Sequence, residues 1–226
     1  MRHKRHQIIT EDGSSTLRID DLKETYHSRH GAVLESDFVY LKEGLEFWLD
    51  QHPNQSCRIL ELGYGTGLMT YLTYLKAQKE KLEIEYVSLE AFPLSSAEIQ
   101  TLNYEQFFQN DAVSHLFSTF NQLPWEQKEA LTSHFNLTKK EIKFEDFTSE
   151  FSFDLIFYDA FGFHAQPELW SEQCMSRCYE LLSPKGVWVS YCAKGSVRRG
   201  LEKAGFETFR LPGPPGKREM LRAVKH

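Results

Sequence analysis

A chain of 226 residues, 41% hydrophobic and 26% charged, is long enough to bury one sizeable core and cramped for two, which excludes a fibrous or disordered protein. No run approaches the ~18 apolar residues that span a bilayer and the basic N-terminus has no apolar stretch behind it, so a cytoplasmic protein without membrane contact is expected. The net charge of −6 argues against a polyanion partner only on average: residues 194–226 hold nine Lys or Arg and three Glu, and that basic end reads either as a solvated face or as a nucleic-acid contact.

Residues 1–50 read as an N-terminal extension to a domain over 51–226. Strand-like pieces at 7–10 and 15–19 flank the turn pair Asp12-Gly13. A helix follows over 37–51, with Phe38, Leu41, Leu45, Trp48 and Leu49 at core spacing. After Pro53 the pattern becomes strand (57–62), glycine turn, helix (68–78), the opening of a parallel α/β sheet. Further strands are predicted at 84–89, 141–144, 154–158 and 186–192, with helices at 95–108 and 167–182. An antiparallel hairpin over 207–211 and 218–224 closes a sheet of seven mostly parallel strands, helices on both faces. Cys57, Cys174, Cys178 and Cys192 form no CxxC pair and read as reduced thiols; no metal site is expected.

Gly63, Gly65 and Gly67 lie between strand and helix, where bare backbone amides meet a ligand at a helix N-terminus. Glu61 precedes them, and the spacing GxGxG lacks the third glycine of GxGxxG. A carboxylate there suits a ligand with a cationic end, such as the ammonium and sulfonium of S-adenosylmethionine, and gives nothing to a pyrophosphate. Tyr64 and Thr66 complete the turn. Glu90, ending the next strand, is placed to accept from a ribose diol; an ordinary capping or solvent-facing charge is the alternative. Asp146 reads either as an acceptor for an adenine amino group or as a turn aspartate.

FDLIFYDAFGFHAQPELW is a buried strand ending at Asp159, followed by a loop of Phe and Gly. Ligands sit at such carboxyl ends. An amine acceptor with a pKa of ~10 arrives protonated, and Asp159 could orient it and take its proton. Phe161 and Phe163 either exclude water, stack a base of the substrate, or are core.

ETYHSRHGAVLES (24–36), ILELGYGTGL (59–68), DAF with PELW, and GSVRRGLEKAGF followed by GPPGKREML resemble, in order and over most of the chain, the bacterial tRNA wobble-uridine methyltransferases. These are the MnmD group and the methyltransferase half of MnmC. The resemblance implies a class I, Rossmann-like methyltransferase that uses S-adenosylmethionine to methylate the aminomethyl group of 5-aminomethyl-(2-thio)uridine in tRNA. It implies cofactor roles for Glu61, Gly63, Gly65, Glu90 and Asp146, and Asp159 at the acceptor amine. Tyr26, His27, Ser28 and His30 would pack over cofactor and acceptor, although loop histidines also commonly bond backbone. Lys194, Arg198, Arg199, Lys217 and Arg218 would face tRNA or are surface charges. The chain ends before an FAD-dependent oxidase domain of the bifunctional relatives would begin, so methylation alone is expected of it, linked to a separate enzyme that makes the aminomethyl precursor. Gly162-Phe163 departs from the small residue and proline usual after DAF, and leaves the aim of that loop open.

Three other classes remain to be told apart. A polyamine aminopropyltransferase shares the fold but needs a second acidic cluster, an NAD-dependent oxidoreductase is disfavoured by Glu61, and a non-catalytic RNA-binding module would bind tRNA without turnover.

Overall fold

The alternation around Asp12-Gly13 closes into a small antiparallel sheet in the computed structural model, which describes residues 4–108 and 116–226. β1 (Arg5–Ile9) pairs with β2 (Ser15–Ile19), and the two-residue β3 (Glu24–Thr25) adds to β2. The first strand runs over 5–9 and ends one residue earlier than its pattern suggested, because Thr10 belongs to the turn: its hydroxyl donates to Asp12 Oδ1 at 2.6 Å.

The helix expected over 37–51 begins at residue 32 and runs to 51 (α1). Its centre, Asp37–Glu46, is a π-helix, with i→i+5 bonding and a wider turn. Val39, Tyr40 and Leu41 are consequently all buried, with Leu45 and Trp48, while Phe38 and Leu49 pack at the margin. Gly44 brings α1 hard against the main sheet, since a Cβ there would stand 2.9 Å from Val189 and 3.2 Å from Phe157.

The main sheet contains β4 (Cys57–Leu62), β5 (Ile84–Glu90), β6 (Lys128–Ala130), β7 (Phe135–Glu141), β8 (Phe153–Tyr158), β9 (Leu182–Ser190), β10 (Phe206–Pro212) and β11 (Glu219–Lys225). Their spatial order is β10-β11-β9-β8-β4-β5-β7-β6, parallel from β9 through β7 and antiparallel at both edges. CRILEL and FDLIFY are almost wholly buried, as central parallel strands covered on both faces must be. The chain steps outward from β4 through β5 to β7, then returns to β8 on the other side of β4. That reversal opens a crevice at the carboxyl ends of β4 and β8.

Four expectations need correction. The strand expected at 141–144 is β7, six residues earlier, and it leads into a 3₁₀ turn at Phe144–Asp146. The sheet has eight strands because the three-residue β6 lines the edge of β7. The helix expected over 95–108 is two single turns, α2 being the long helix after the glycine turn (Leu68–Glu80) and α3 and α4 these turns (Ser96–Ile99, Tyr104–Phe107). Asn103 breaks it: its side chain accepts from the Ser15 amide at 2.8 Å and donates to the Gly13 carbonyl at 2.9 Å, tying this segment to the small sheet. A further helix, α5 (Leu116–Gln122), precedes β6. The helix expected from Pro167 starts only after Ser171, whose hydroxyl caps α6 (Glu172–Leu181) by accepting from the Cys174 amide at 3.3 Å; Pro167–Trp170 is a 3₁₀ turn. The last helix, α7, is Gly195–Ala204.

All four cysteines are buried and unbridged, and among the described residues no helix is long and apolar enough to cross a membrane.

Candidate active site

The glycine turn is built by close approach rather than by flexibility alone. Gly63 has φ 90°, and a Cβ on it would stand 2.7 Å from the backbone carbonyl of Asp159. The Gly63 and Tyr64 amides donate to the Leu89 carbonyl at 2.9 and 3.0 Å, which locks the turn to the end of β5. Glu90 then receives the Gly65 amide at 3.0 Å on Oε2 and the Phe92 amide at 2.9 Å on Oε1. Beneath the turn, the buried Lys139 ammonium lies 5.1 Å from the Tyr64 ring and 4.9 Å from that of Trp125, and donates to the Phe120 carbonyl at 3.0 Å. Burial lowers its pKa to about 8.

A cavity of about 520 Å³ opens over this turn, at the crevice of the sheet. Glu61, Gly63, Tyr64, Gly65, Thr66, Glu90, Asp159 and Phe161 line it, and the small sheet roofs it with Arg5, Tyr26 and His27. Tyr26 lies over Gly65, where a Cβ would meet its ring at 3.1 Å, and meets Phe161 edge-on at 4.9 Å between centroids. Glu61 is completely buried. Its Oε2 accepts from Ser88 at 2.5 Å and Thr70 at 3.0 Å, whereas Oε1 has no hydrogen-bond partner among the described residues. Burial pushes its carboxyl up to about 8 against the pull of those hydroxyls. A cationic group on a ligand would satisfy this buried oxygen.

Asp159, at the tip of β8, also lines a second cavity of about 240 Å³ with Glu24, Ser28, Glu35, Tyr191 and Lys217. Its amide donates to the Leu62 carbonyl at 3.1 Å, and Tyr40 of α1 donates its hydroxyl to Oδ1 at 2.7 Å. Burial raises the carboxyl to about 7, opposed by the Tyr40 hydrogen bond. A carboxyl of this kind must ionise to accept a proton, so any transfer that needs it falls off on the acid side. In Tyr40→Phe the ionised form loses a donor worth ~1.5 kcal/mol, so the acid limb of the kcat/KM profile is expected to move to higher pH by about one unit. A limb that stays in place would remove Asp159 from the titration.

A family profile described as S-adenosyl-L-methionine-dependent methyltransferase matches residues 100–226, more than half of the chain. The chain belongs to this family. It is 28% identical over 231 residues to the "tRNA 5-methylaminomethyl-2-thiouridine biosynthesis bifunctional protein MnmC" of Hydrogenovibrio crunogenus, across 96% of this chain and 33% of that protein. The like-named protein of Actinobacillus pleuropneumoniae is 27% identical over 94% of this chain and 34% of its own length. The chain thus spans about a third of the length of the curated relatives it matches. The crystal structure of MNMC2 from Aquifex aeolicus superimposes with a TM-score of 0.75 at 25% identity, covering 98% of this chain and 70% of that one.

For a methyltransferase of this family the residues fit S-adenosylmethionine: the orphaned Glu61 oxygen suits its cationic end, and Glu90 at the next strand end suits a diol. The remaining residues singled out in the sequence distribute unevenly. Asp146 is exposed and does not line the cavity; at that turn Lys143, Phe144 and Glu145 do, because the 3₁₀ turn rotates Asp146 outward. Gly67 also lies off the cavity wall, capping α2 with φ 81°. His27 bonds the Thr16 hydroxyl through Nδ1 at 3.0 Å and is held neutral by burial, its pKa down at about 4. His30 is exposed, 3.0 Å from Glu11, and lines neither cavity. The five basic residues stand in different surroundings. Lys217 turns into the second cavity, Arg198 pairs with Glu202 at 2.5 Å, Lys194 sits 4.3 Å over the Phe163 ring, and Arg199 and Arg218 are exposed. Among the described residues no group of three His, Cys, Asp or Glu is arranged to hold a metal ion.

Sequence reasoning missed Glu24, Glu35 and Tyr191 in the second cavity, Arg5 in the first, and Tyr40, which lines neither but bonds Asp159. Glu35 stood inside the quoted segment 24–36 and Tyr191 at a strand end, so both were within reach. Tyr40 looked like one more helix residue.

Proposed function

We propose that the chain transfers a methyl group from S-adenosylmethionine to the amine of 5-aminomethyl-(2-thio)uridine at the tRNA wobble position, giving the 5-methylaminomethyl form. The observation that carries this reading is Asp159 standing on the wall shared by the two cavities, one over the glycine turn and one open to an acceptor. The relatives' names supply the acceptor: each is a 5-methylaminomethyl-2-thiouridine biosynthesis protein. When bound, the cofactor supplies an electrophilic methyl group on a cationic sulfur.

The chain's own residues do the rest. Glu61, Gly63, Tyr64, Gly65, Thr66 and Glu90 hold the donor, and the Tyr26–Phe161 pair shields the reacting atoms from water. Tyr40 occupies Asp159 Oδ1, which leaves Oδ2 to orient the amine and take its proton. Aligning the nitrogen with the methyl group supplies most of the rate, ~7 kcal/mol or more, and proton acceptance a smaller part. Ser28 lines the acceptor cavity, and the exposed Lys194, Arg199 and Arg218 serve as phosphate contacts. Lys217 in the acceptor cavity sets this reading apart from a polyamine aminopropyltransferase, whose polycationic acceptor it would repel. The enzyme would act in the cytoplasm on tRNA that a separate enzyme has already aminomethylated.

Undermodified tRNA incubated with the protein and S-adenosylmethionine, then digested to nucleosides for mass spectrometry, tests this. The expected result is conversion of the aminomethyl nucleoside to its methylaminomethyl form; no methyl gain on any nucleoside would overturn it.

A further inference from the structure

We propose that Lys217 makes the acceptor cavity specific for a pyrimidine with a carbonyl, rather than an amino group, at position 4; this rests on the function proposed above. The lysine is held from two sides. Its ammonium lies 2.5 Å from Glu35 Oε2 and 3.7 Å from the centroid of the Tyr191 ring. Both supports are themselves fixed: Glu35 Oε1 accepts from the Ser28 amide at 2.9 Å, and the Tyr191 hydroxyl donates to the carbonyl of Ala160, the residue after Asp159, at 2.8 Å. Lys217 retains 30% side-chain exposure against 8% for Glu35, so the carboxylate is the more covered of the pair, and both side chains line the cavity.

An ammonium carries three N–H donors and no acceptor. The ion pair with Glu35 and the Tyr191 ring take up two sides of the ammonium, which leaves a donor for a ligand. Asp159 binds the amine carried on C5, and of the two ring positions beside it, C4 is the one that bears a polar group. In uridine C4 bears a carbonyl, which accepts from Lys217. In cytidine it bears an amino group, and the two would meet donor to donor, with the lysine N–H unpaired. A site built to donate discriminates sharply against such an analogue. The Glu35 partner strengthens the selection by holding the lysine in place, where it repels an acceptor that is cationic throughout.

The test uses two anticodon stem-loop RNAs that differ only in carrying 5-aminomethyluridine or 5-aminomethylcytidine at the wobble position. Methyl transfer to each is measured with the intact chain and with Lys217→Met and Lys217→Gln. The unsubstituted chain is expected to favour the uridine substrate by about 10- to 100-fold in kcat/KM. Both variants should lose most of that preference while binding S-adenosylmethionine normally. The Gln variant keeps a polar group in place and decides the matter should the Met variant lose cofactor binding. An unchanged ratio in the variants, or equal use of both RNAs by the unsubstituted chain, would overturn the inference alone. Transfer to neither RNA by the unsubstituted chain would overturn the proposed function, and this inference with it.

Discussion

Asp159→Asn is expected to lower methyl transfer by about 10²- to 10⁴-fold, the range that proton acceptance by a positioned side chain supplies. Asparagine keeps the shape, and its carbonyl can still accept from Tyr40, which now donates to Oδ1 at 2.7 Å. What disappears is the negative charge that draws in an ammonium and the base that receives its proton. Cofactor affinity should fall far less, because the orphaned oxygen of Glu61 and the carboxylate of Glu90 remain on the donor cavity. Single-turnover transfer at saturating S-adenosylmethionine, read beside calorimetric cofactor binding, separates the two. Equal losses in both would make Asp159 a cofactor ligand and no more.

Much of the fold was legible because buried parallel strands write themselves as unbroken apolar runs. CRILEL and FDLIFY gave β4 and β8 with their ends, and the closing hairpin pairs Phe206 through Pro212 with Lys225 through Glu219. The strand that was misplaced shows the limit. In β7 the inward positions are Phe135, Leu137 and Lys139, all buried, and a lysine in the third of them breaks the apolar alternation. That lysine is tolerated only because the carbonyls ending α5 and two aromatic rings receive it, partners that come from three other parts of the chain. The helix over 95–108 failed for the same kind of reason, since Asn103 is claimed by a hairpin some ninety positions earlier.

The candidate site divides along the same line. Glu61, Gly63, Gly65, Glu90 and Asp159 lie within or next to strand ends, and local grammar was enough to place them on one cavity. Asp146 and Glu145 differ by one position on a 3₁₀ turn, a distinction of backbone rotation that residue type does not carry. Tyr40 was out of reach because its role depends on the wide π-helical turn that aims three consecutive residues at the sheet, and on Gly44 allowing α1 to approach. Lys217 was grouped with surface cations because charge runs are usually solvated; only the folded hairpin brings it to Glu35.

Gly63→Ala should cost both stability and cofactor affinity, and comparison with Gly13→Ala separates the causes. Each glycine has a strongly positive φ, 90° and 85°, so each substitution incurs left-handed strain of ~1–3 kcal/mol. At Gly13 nothing else happens, since the nearest atom to a new Cβ is the edge of the Phe107 ring at 3.9 Å. At Gly63 the new Cβ would stand 2.7 Å from the Asp159 carbonyl, which is backbone and cannot rotate away. Either the turn lifts from the end of β5, breaking the hydrogen bonds that the Gly63 and Tyr64 amides donate to the Leu89 carbonyl, or the end of β8 yields and carries the Asp159 carboxylate with it. Thermal unfolding should therefore register a loss in both variants, the larger at Gly63, while S-adenosylmethionine affinity falls by about tenfold or more only there. Normal cofactor binding in Gly63→Ala would mean that the turn and the tip of β8 move independently, and the coupling of donor site to Asp159 through that contact would be wrong.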